Sequence, residues 1–352
     1  MTNILEAIQK AEAGHLLSRV EAEAVMEELL NGRIETPEIV RLLVALNQRV
    51  PSAEQLAGFA SVMRRHAAQV FAPGIPRPEN LVDTCGTGGD AGGTFNISTA
   101  AAIVASAAGA HVAKHGNRSV SSRSGSADVI EALGVRIDLP TERAGRAISE
   151  IGIGFLFAPA AHAATRHAAA ARKQIGKRTV FNLLGPLTNP AAAEMQVLGV
   201  YSAEVLELVA TTLAELGIKR AFVVHGAGGL DEIALAGETR IAEVRGGSVR
   251  LFSVAPEEFG VERAPLEAIR GGTPQENAAM IRAILDGRSG AKRDVVIVNA
   301  AAALVVTGLA GDFREAAALA ARAITSGAAR EKLDRLAAFT NEELPKRVPH
   351  SV

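Results

Sequence analysis

Over the first 70 residues the apolar positions fall at three- and four-residue spacings: Leu16, Leu17, Val20, Ala24 and Val25, then Ile39, Leu42, Leu43 and Leu46, then Leu56, Phe59, Val62 and Met63. That period lines one face of a helix, so the stretch is predicted to be a small all-helical lobe. Thr36 and Ser52 stand at expected N-cap positions, with Pro37 in a first turn and Pro51 as a breaker. A lobe of amphipathic helices needs no chemistry of its own, since packing or a subunit contact accounts for it. Residues 71–80 hold three prolines and a glycine, which favours an extended connection.

From Leu81 the pattern changes. Short apolar runs predict strands at Leu81–Asp83, Ala110–Ala113, Gly154–Phe157, Gln196–Val200, Arg220–His225, Ile241–Val244 and Val249–Val254. Helical periods alternate with them at Thr99–Ala108, Ala127–Leu133, Glu142–Ile151, Ala203–Leu216, Pro274–Leu285, Val295–Val306 and Glu315–Ile324. The alternation predicts an α/β lobe with a mostly parallel central sheet flanked by helices. The expected division is a helical lobe over 1–70, joined by part of the basic, turn-rich segment 166–190, and an α/β lobe over 71–352. The uncharged run Val295–Gly311 is too short to span a bilayer and contains Asn299, so it reads as a helix buried against the sheet.

At 352 residues the chain exceeds the ~250–300 at which single cores stop growing, in keeping with two lobes. Its formal net charge of −1 offers no global attraction to nucleic acid or membrane. The single Cys85 rules out an intrachain disulfide framework and speaks against a zinc site; with no basic n-region and apolar core at the start, the chain is expected in the cytoplasm.

Charge becomes informative locally. The 37 residues between Asp90 and Asp128 contain no Asp or Glu, yet hold Lys114, His115, Arg118 and Arg123. An anion would sit there. Gly86, Gly88 and Gly89 follow a predicted strand, and backbone N–H groups of such a loop can close around phosphate oxygens. Asn96, Ser98 and Thr99 then open an alanine-rich helix, adding hydroxyls and a helix N-terminus. A dinucleotide site is disfavoured because the ribose carboxylate it requires would fall in the carboxylate-free span. A Walker A loop fails for want of Gly-Lys-Ser/Thr. Lys114, Asn117, Arg118, Ser119, Ser121 and Ser122 form a second donor-rich loop able to grip another phosphate. Far along the chain, Asp231 and Glu232 follow a strand and a glycine turn. Near a diphosphate they would bind Mg²⁺, which favours carboxylates, waters and phosphates over a closed protein cage; alone they would read as a solvated turn. His162 and His167 lie five apart, about 140° around a helix, and make no two-histidine metal face.

In order and spacing, DTCGTGGD, NIST, KHGNRSVSSRSGSADVIEALG, RTVFNLLGPLTNP and HGAGGLDE resemble the anthranilate phosphoribosyltransferase family of tryptophan biosynthesis, and the resemblance runs over essentially the whole chain. It implies the fold shared with pyrimidine nucleoside phosphorylases, a homodimer formed through the helical lobe, and transfer of the phosphoribosyl group of phosphoribosyl pyrophosphate to the amine of anthranilate. By the same resemblance, Gly86, Gly89, Asp90, Thr94, Asn96, Ile97, Ser98, Thr99, Lys114, His115, Gly116, Asn117, Arg118, Ser119, Ser121, Ser122 and Ser126 would hold the donor. Gly86, Asn117 and Arg172 would contact anthranilate, and Ser98, Asp231 and Glu232 would hold two Mg²⁺ ions. No covalent nucleophile is implied. The segment Pro159–His162 reads PAAH where relatives commonly carry Asn and Tyr before the histidine, so Ala160 and Ala161 receive no role. Two other readings stay open: nucleoside phosphorolysis on the same fold, and a non-catalytic nucleic-acid-binding relative, against which the 3% aromatic content counts.

Overall fold

The structure, a computed structural model, describes residues 4–88, 93–119 and 123–342. Four helices open the chain: α1 (Ile4–Glu12), α2 (Arg19–Leu30), α3 (Thr36–Leu46) and α4 (Ala53–Arg65). Ser18 starts α2 with a capping box, its hydroxyl accepting from Glu21 N while the Glu21 carboxylate accepts from Ser18 N. Ser52 caps α4 through Gln55 N at 3.1 Å. Thr36 is not a cap. It is the first helical residue of α3, and Glu35 precedes it in an extended conformation. The Glu35 carbonyl already accepts from both Glu38 N and Ile39 N, so a Thr36 hydroxyl would find no N–H to satisfy.

The remaining elements build one seven-stranded sheet in the order β3-β2-β1-β4-β5-β6-β7. Its strands are β1 (Val82–Gly86), β2 (Val112–Gly116), β3 (Ile153–Phe157), β4 (Met195–Gly199), β5 (Arg220–Gly226), β6 (Thr239–Arg245) and β7 (Ser248–Val254). The first five are parallel; β6 and β7 run antiparallel at one edge. Gly246 and Gly247, with φ of 57° and 80°, supply the two positive-φ residues that a tight β6–β7 hairpin turn requires.

Helices cover both faces. They are α5 (Ile97–Ala107), α6 (Ser126–Ala132), α7 (Thr141–Ile151), the short α8 (Ala158–Ala161), α9 (Ala169–Ile175), α10 (Phe181–Leu184), α11 (Leu206–Glu215), α12 (Pro274–Leu285), α13 (Ala291–Val306), α14 (Phe313–Thr325) and α15 (Ala328–Asn341). Every residue of α13 from Val295 to Val306 is buried, against α5, α14 and strands β1, β4 and β5. Each large side chain there is worth about 1.5–3 kcal/mol on removal from water, which explains a charge-free run inside a sheet-covering helix. No helix among the described residues is long and apolar enough to cross a membrane. The apolar pattern does not predict helix α15: its buried stripe of Ala329, Leu333, Leu336, Phe339 and Thr340 is partly small or polar and threaded with charges.

The helices α1–α4 share a continuous apolar core with Ala168, Ala171 and Phe181 from the 166–190 segment, and with Leu206 and Val209 of α11. Helix α9 packs on α3, and α11 is held between α4 and strands β5 and β6. The segment 166–190 thus runs alongside the helical lobe while its far end, through Asn189, returns to the sheet by donating to Ala113 O at 2.8 Å.

Candidate active site

Chain order through the sheet decides where a site can form. The path goes from β1 outward to β2 and β3, then returns to the other side of β1 as β4 and β5. In an open parallel sheet the crevice beyond the carboxyl ends at such a reversal is where ligands bind. Here it falls between β1 and β4. Thr87 N donates to Gly199 O at 2.9 Å and Thr87 Oγ1 accepts from Tyr201 N at 3.1 Å, which anchors the glycine loop across that crevice.

The acidic turn comes to the same place from β5. Asp231 accepts from Gly88 N at 3.0 Å, and Glu232 accepts from Ser98 N at 2.9 Å. The carboxylates therefore stand on one N–H of the glycine loop and one in the first turn of α5, donors well suited to phosphate oxygens. Three glycines make this approach possible. An added Cβ would lie 2.7 Å from Asp231 Oδ2 at Gly86, 1.5 Å from Asp231 O at Gly199, and 2.4 Å from Glu232 O at Gly226. Buried Asn299 of α13 fixes the turn from behind, accepting from Ile233 N at 2.9 Å and donating to Ile233 O at 3.0 Å. Among the described residues no group of three or more His, Cys, Asp or Glu is placed to hold a metal. Two carboxylates at the mouth of a glycine loop suit a cation that completes its shell with water and phosphate.

Of the remaining donor-site residues, Asn96 is the N-cap of α5, without a side-chain cap bond; its amide instead bonds the loop bearing Ser124, donating to Ser124 O and accepting from Ser124 Oγ, each at 3.1 Å. Ile97 and Thr99 are buried, and the Thr99 hydroxyl has no hydrogen-bond partner among the described residues. Thr94 pairs with Arg270 in an isolated antiparallel bridge. Lys114 lies buried on β2 with Nζ on Thr84 O, while Thr84 Oγ1 donates to Ser98 O at 3.1 Å. Asn117 is exposed; its N–H meets Ser126 Oγ at 3.1 Å, and Gly116 has no room for a Cβ beside that hydroxyl, 2.3 Å away. Arg118 turns away from the loop onto Asp128 (3.0 Å) and Glu131 (2.6 Å) of α6, and Ser119 N donates to Asp128 at 3.1 Å. Glu131 and then Asp128 raise the Arg118 pKa above its ordinary value. Gly89, Asp90, Ser121 and Ser122 lie outside the described residues.

A second cluster borders the site from the 166–190 side. Arg172 of α9 lies half-buried over the Phe181 ring, 5.0 Å from its centre. Burial alone lowers its pKa, with no carboxylate contributing. No hydrogen bond links it to Gly86 or Asn117 among the described residues. His115 and His162 stack edge to face at 5.3 Å between ring centres. Burial, then the neighbouring His162 and Lys114, push the His115 pKa down to about 3, and burial lowers that of His162. Both rings are neutral near pH 7. Beneath them Asp83 is fully buried, accepting from His115 N at 3.1 Å; burial raises its pKa against the pull of Lys114.

Sequence reasoning passes over Asp83, His162, Asn277 and Asn299 as site residues. It weighs His162 only as a metal ligand against His167, whereas its ring partner His115 is 47 positions upstream on β2. The lone Asn299 inside the charge-free run Val295–Gly311 is the one visible signal, since a buried amide demands partners.

The Glycosyl transferase family helical bundle domain matches residues 5–67, and the Glycosyl transferase family a/b domain matches residues 78–330. An anthranilate phosphoribosyltransferase of Pelotomaculum thermopropionicum is 52% identical over 337 residues, 96% of each chain. The chain belongs to the anthranilate phosphoribosyltransferase family. The crystal structure of the family member from Thermus thermophilus is 46% identical, superposes with a TM-score of 0.89, and is covered over 96% of this chain and 99% of that one. The Saccharomyces cerevisiae enzyme in complex with PRPP and Mg is 28% identical with a TM-score of 0.85, over 96% and 97% of the two chains. The family pattern thus spans both the helical lobe and the sheet.

Proposed function

We propose that this protein is a Mg²⁺-dependent phosphoribosyltransferase that joins the phosphoribosyl group of phosphoribosyl pyrophosphate to anthranilate, releasing pyrophosphate. The observation that carries the reading is the meeting of Asp231 and Glu232 with Gly88 N and Ser98 N at the β1/β4 reversal. The anthranilate nitrogen bonds to the ribose C1 as the bond from C1 to the diphosphate oxygen breaks, and the nitrogen gives up one proton to water or to the departing diphosphate. Little acid or base work is required of side chains, because the amine is already nucleophilic and the barrier lies in charge gathering on the diphosphate.

Asp231, Glu232 and Ser98 are the residues that would hold Mg²⁺, as two ions; when bound, the metal supplies positive charge beside the leaving diphosphate. The glycine loop and the α5 N-terminus would present N–H groups to phosphate oxygens, and Lys114 adds a fixed charge beneath them. The Ser126 hydroxyl and the Asn117 backbone shape the neighbouring loop. Arg172 would pair with the anthranilate carboxylate, for which a planar guanidinium has a geometric advantage. The neutral, buried His115 and His162 would give that acceptor a wall without a competing charge. Chain segments 1–70 and part of 166–190 form the second wall, and closure between the lobes would exclude water and align amine with C1.

The protein acts as a homodimer through its helical lobe. Of the seven large apolar side chains left exposed among the described residues, five (Leu5, Leu16, Val20, Val44 and Val50) belong to it, while Leu251 and Leu309 lie on the α/β lobe; a second copy of the helical lobe would cover the five. Cys85, buried and with its pKa raised by burial, fits a reducing cytoplasm.

The test is fluorimetric: anthranilate fluorescence should fall with time only when phosphoribosyl pyrophosphate and Mg²⁺ are both present. Persistence of the signal with properly folded protein overturns the assignment.

A further inference from the structure

A strap running from Ile269 to the first turns of α12 lies over the return of the glycine loop. Phe95 N donates to Ile269 O at 3.4 Å and Gly271 N to Gly93 O at 2.9 Å. Lys292 Nζ holds the strap from behind through Arg270 O at 2.6 Å. The approach is close enough that a Cβ on Gly271 would fall 2.5 Å from Phe95 N. At the end of the strap stands Asn277, 2% exposed.

Asn277 Oδ1 accepts from Gly272 N at 2.7 Å, and its Nδ2 donates to Asn96 Oδ1 at 3.0 Å. Asn96 Nδ2 in turn donates to Ser124 O at 3.1 Å. The polarity of this chain is forced at both ends. A backbone N–H can only donate, so the oxygen of Asn277 must face Gly272; a backbone carbonyl can only accept, so the nitrogen of Asn96 must face Ser124. Neither amide can flip without setting donor against donor or acceptor against acceptor. The same linkage ties the two donor-binding loops together, because Asn96 opens α5 and Ser124 precedes α6. Helix α12 reinforces the join through Arg282, which donates to Ala132 O at the end of α6.

We propose that Asn277 is a positioning residue for the phosphoribosyl pyrophosphate site: through Asn96 it locks the glycine-loop return and the Ser124 loop in one mutual register. The proposal rests on the functional reading above. Asn277 need not touch the donor, and its bonds to Gly272 and Asn96 do not reach Arg172, the residue that would pair with the anthranilate carboxylate.

N277D keeps the acceptor for Gly272 N but sets a second oxygen against Asn96 Oδ1. Asn96 must then turn its nitrogen to that oxygen and release Ser124 O. The expected result is a KM for phosphoribosyl pyrophosphate raised about tenfold, an unchanged KM for anthranilate, and loss of most of the rise in Tm that Mg²⁺ with pyrophosphate gives the unaltered protein. S124A, which removes the hydroxyl donor to Asn96 Oδ1 from a half-buried loop position, should move the same constants in the same direction by less, and serves if N277D does not fold. Unchanged constants in the folded variants, or equal increases in both KM values, overturn the positioning role. Failure of the unaltered protein to gain stability from Mg²⁺ with pyrophosphate would instead overturn the functional reading on which the proposal stands.

Discussion

Individual side chains in this site are tuned chiefly by burial. Arg172 has lost solvent without gaining a carboxylate, so an incoming carboxylate would meet a guanidinium whose donors are in place. R172A should raise the KM for anthranilate about 10- to 100-fold, the equivalent of roughly 1.5–3 kcal/mol for charge-assisted hydrogen bonds, and leave that for the phosphorylated donor nearly unchanged; steady-state kinetics with each substrate varied in turn separates the two. His115 makes a pH prediction. Its pKa falls from 6.5 to about 3 on folding, so between those values the unfolded chain binds the extra proton and stability falls as pH is lowered. Stability from the buried neutral ring is complete above pH 6.5 and drains away toward pH 3. Asp83 has the opposite sign, because burial raises its pKa and the folded state then takes up protons more readily. Urea midpoints measured from about pH 7 down to about pH 5 should therefore drop in the unaltered protein and drop less in H115Q. An identical slope in the two proteins would show that His115 titrates normally.

At the scale of elements, the acidic turn is held in place by α13. Asn299 satisfies both backbone groups of Ile233 and adds a bond to Val295 O at 2.8 Å. Leucine at 299 has similar bulk but leaves a buried N–H and C=O without partners, at about 1–3 kcal/mol each. N299L should lose at least about 2 kcal/mol of unfolding free energy in urea and weaken the apparent Mg²⁺ affinity; unaltered stability would mean that water or a shifted backbone replaces the amide. The elements themselves are largely legible in the residues. All seven strands and helices α12 and α13 follow from apolar runs and periods, because their patterns are properties of neighbouring residues. Boundaries move by a few residues where a bond outside the run decides them, as Glu35 O does at Thr36. Helix α15 escapes because alanine and charge dilute its stripe, and only packing against α5 and α7 gives that stripe a face to bury.

For the whole molecule, the proposed dimer would use the exposed apolar side chains of the helical lobe. Val20 and Val50 are 71% and 70% exposed, and glutamate at both positions should place like charges across a two-fold contact. Sedimentation should find a dimer for the unaltered protein and a monomer for V20E/V50E; a monomeric unaltered protein would remove the interface. Helices α1–α4, the segment around Phe181 and α11 share one core, so the lobes meet through apolar packing rather than through a linker alone. The division at residue 70 therefore describes chain order, and we keep it as a proposal for how the lobes are built.

Local chemistry is readable from one dimension: two lobes, an α/β alternation, an anion site without carboxylates between Asp90 and Asp128, and a displaced acidic pair at Asp231 and Glu232. Each is a property of neighbours in sequence, and the resemblance carried by those motifs leads to the family that the comparisons bear out. Tertiary structure decided the rest, because the decisive contacts join residues whose sequence separation hides them. Strand order placed the carboxylates on Gly88 N and Ser98 N; packing of the turn after α8 on β2 brought His162 to His115; and Asn277 reached Asn96 across 181 positions. A buried amide or carboxylate takes its meaning from whatever hydrogen-bond partner the fold sets opposite it, and that partner is chosen in three dimensions.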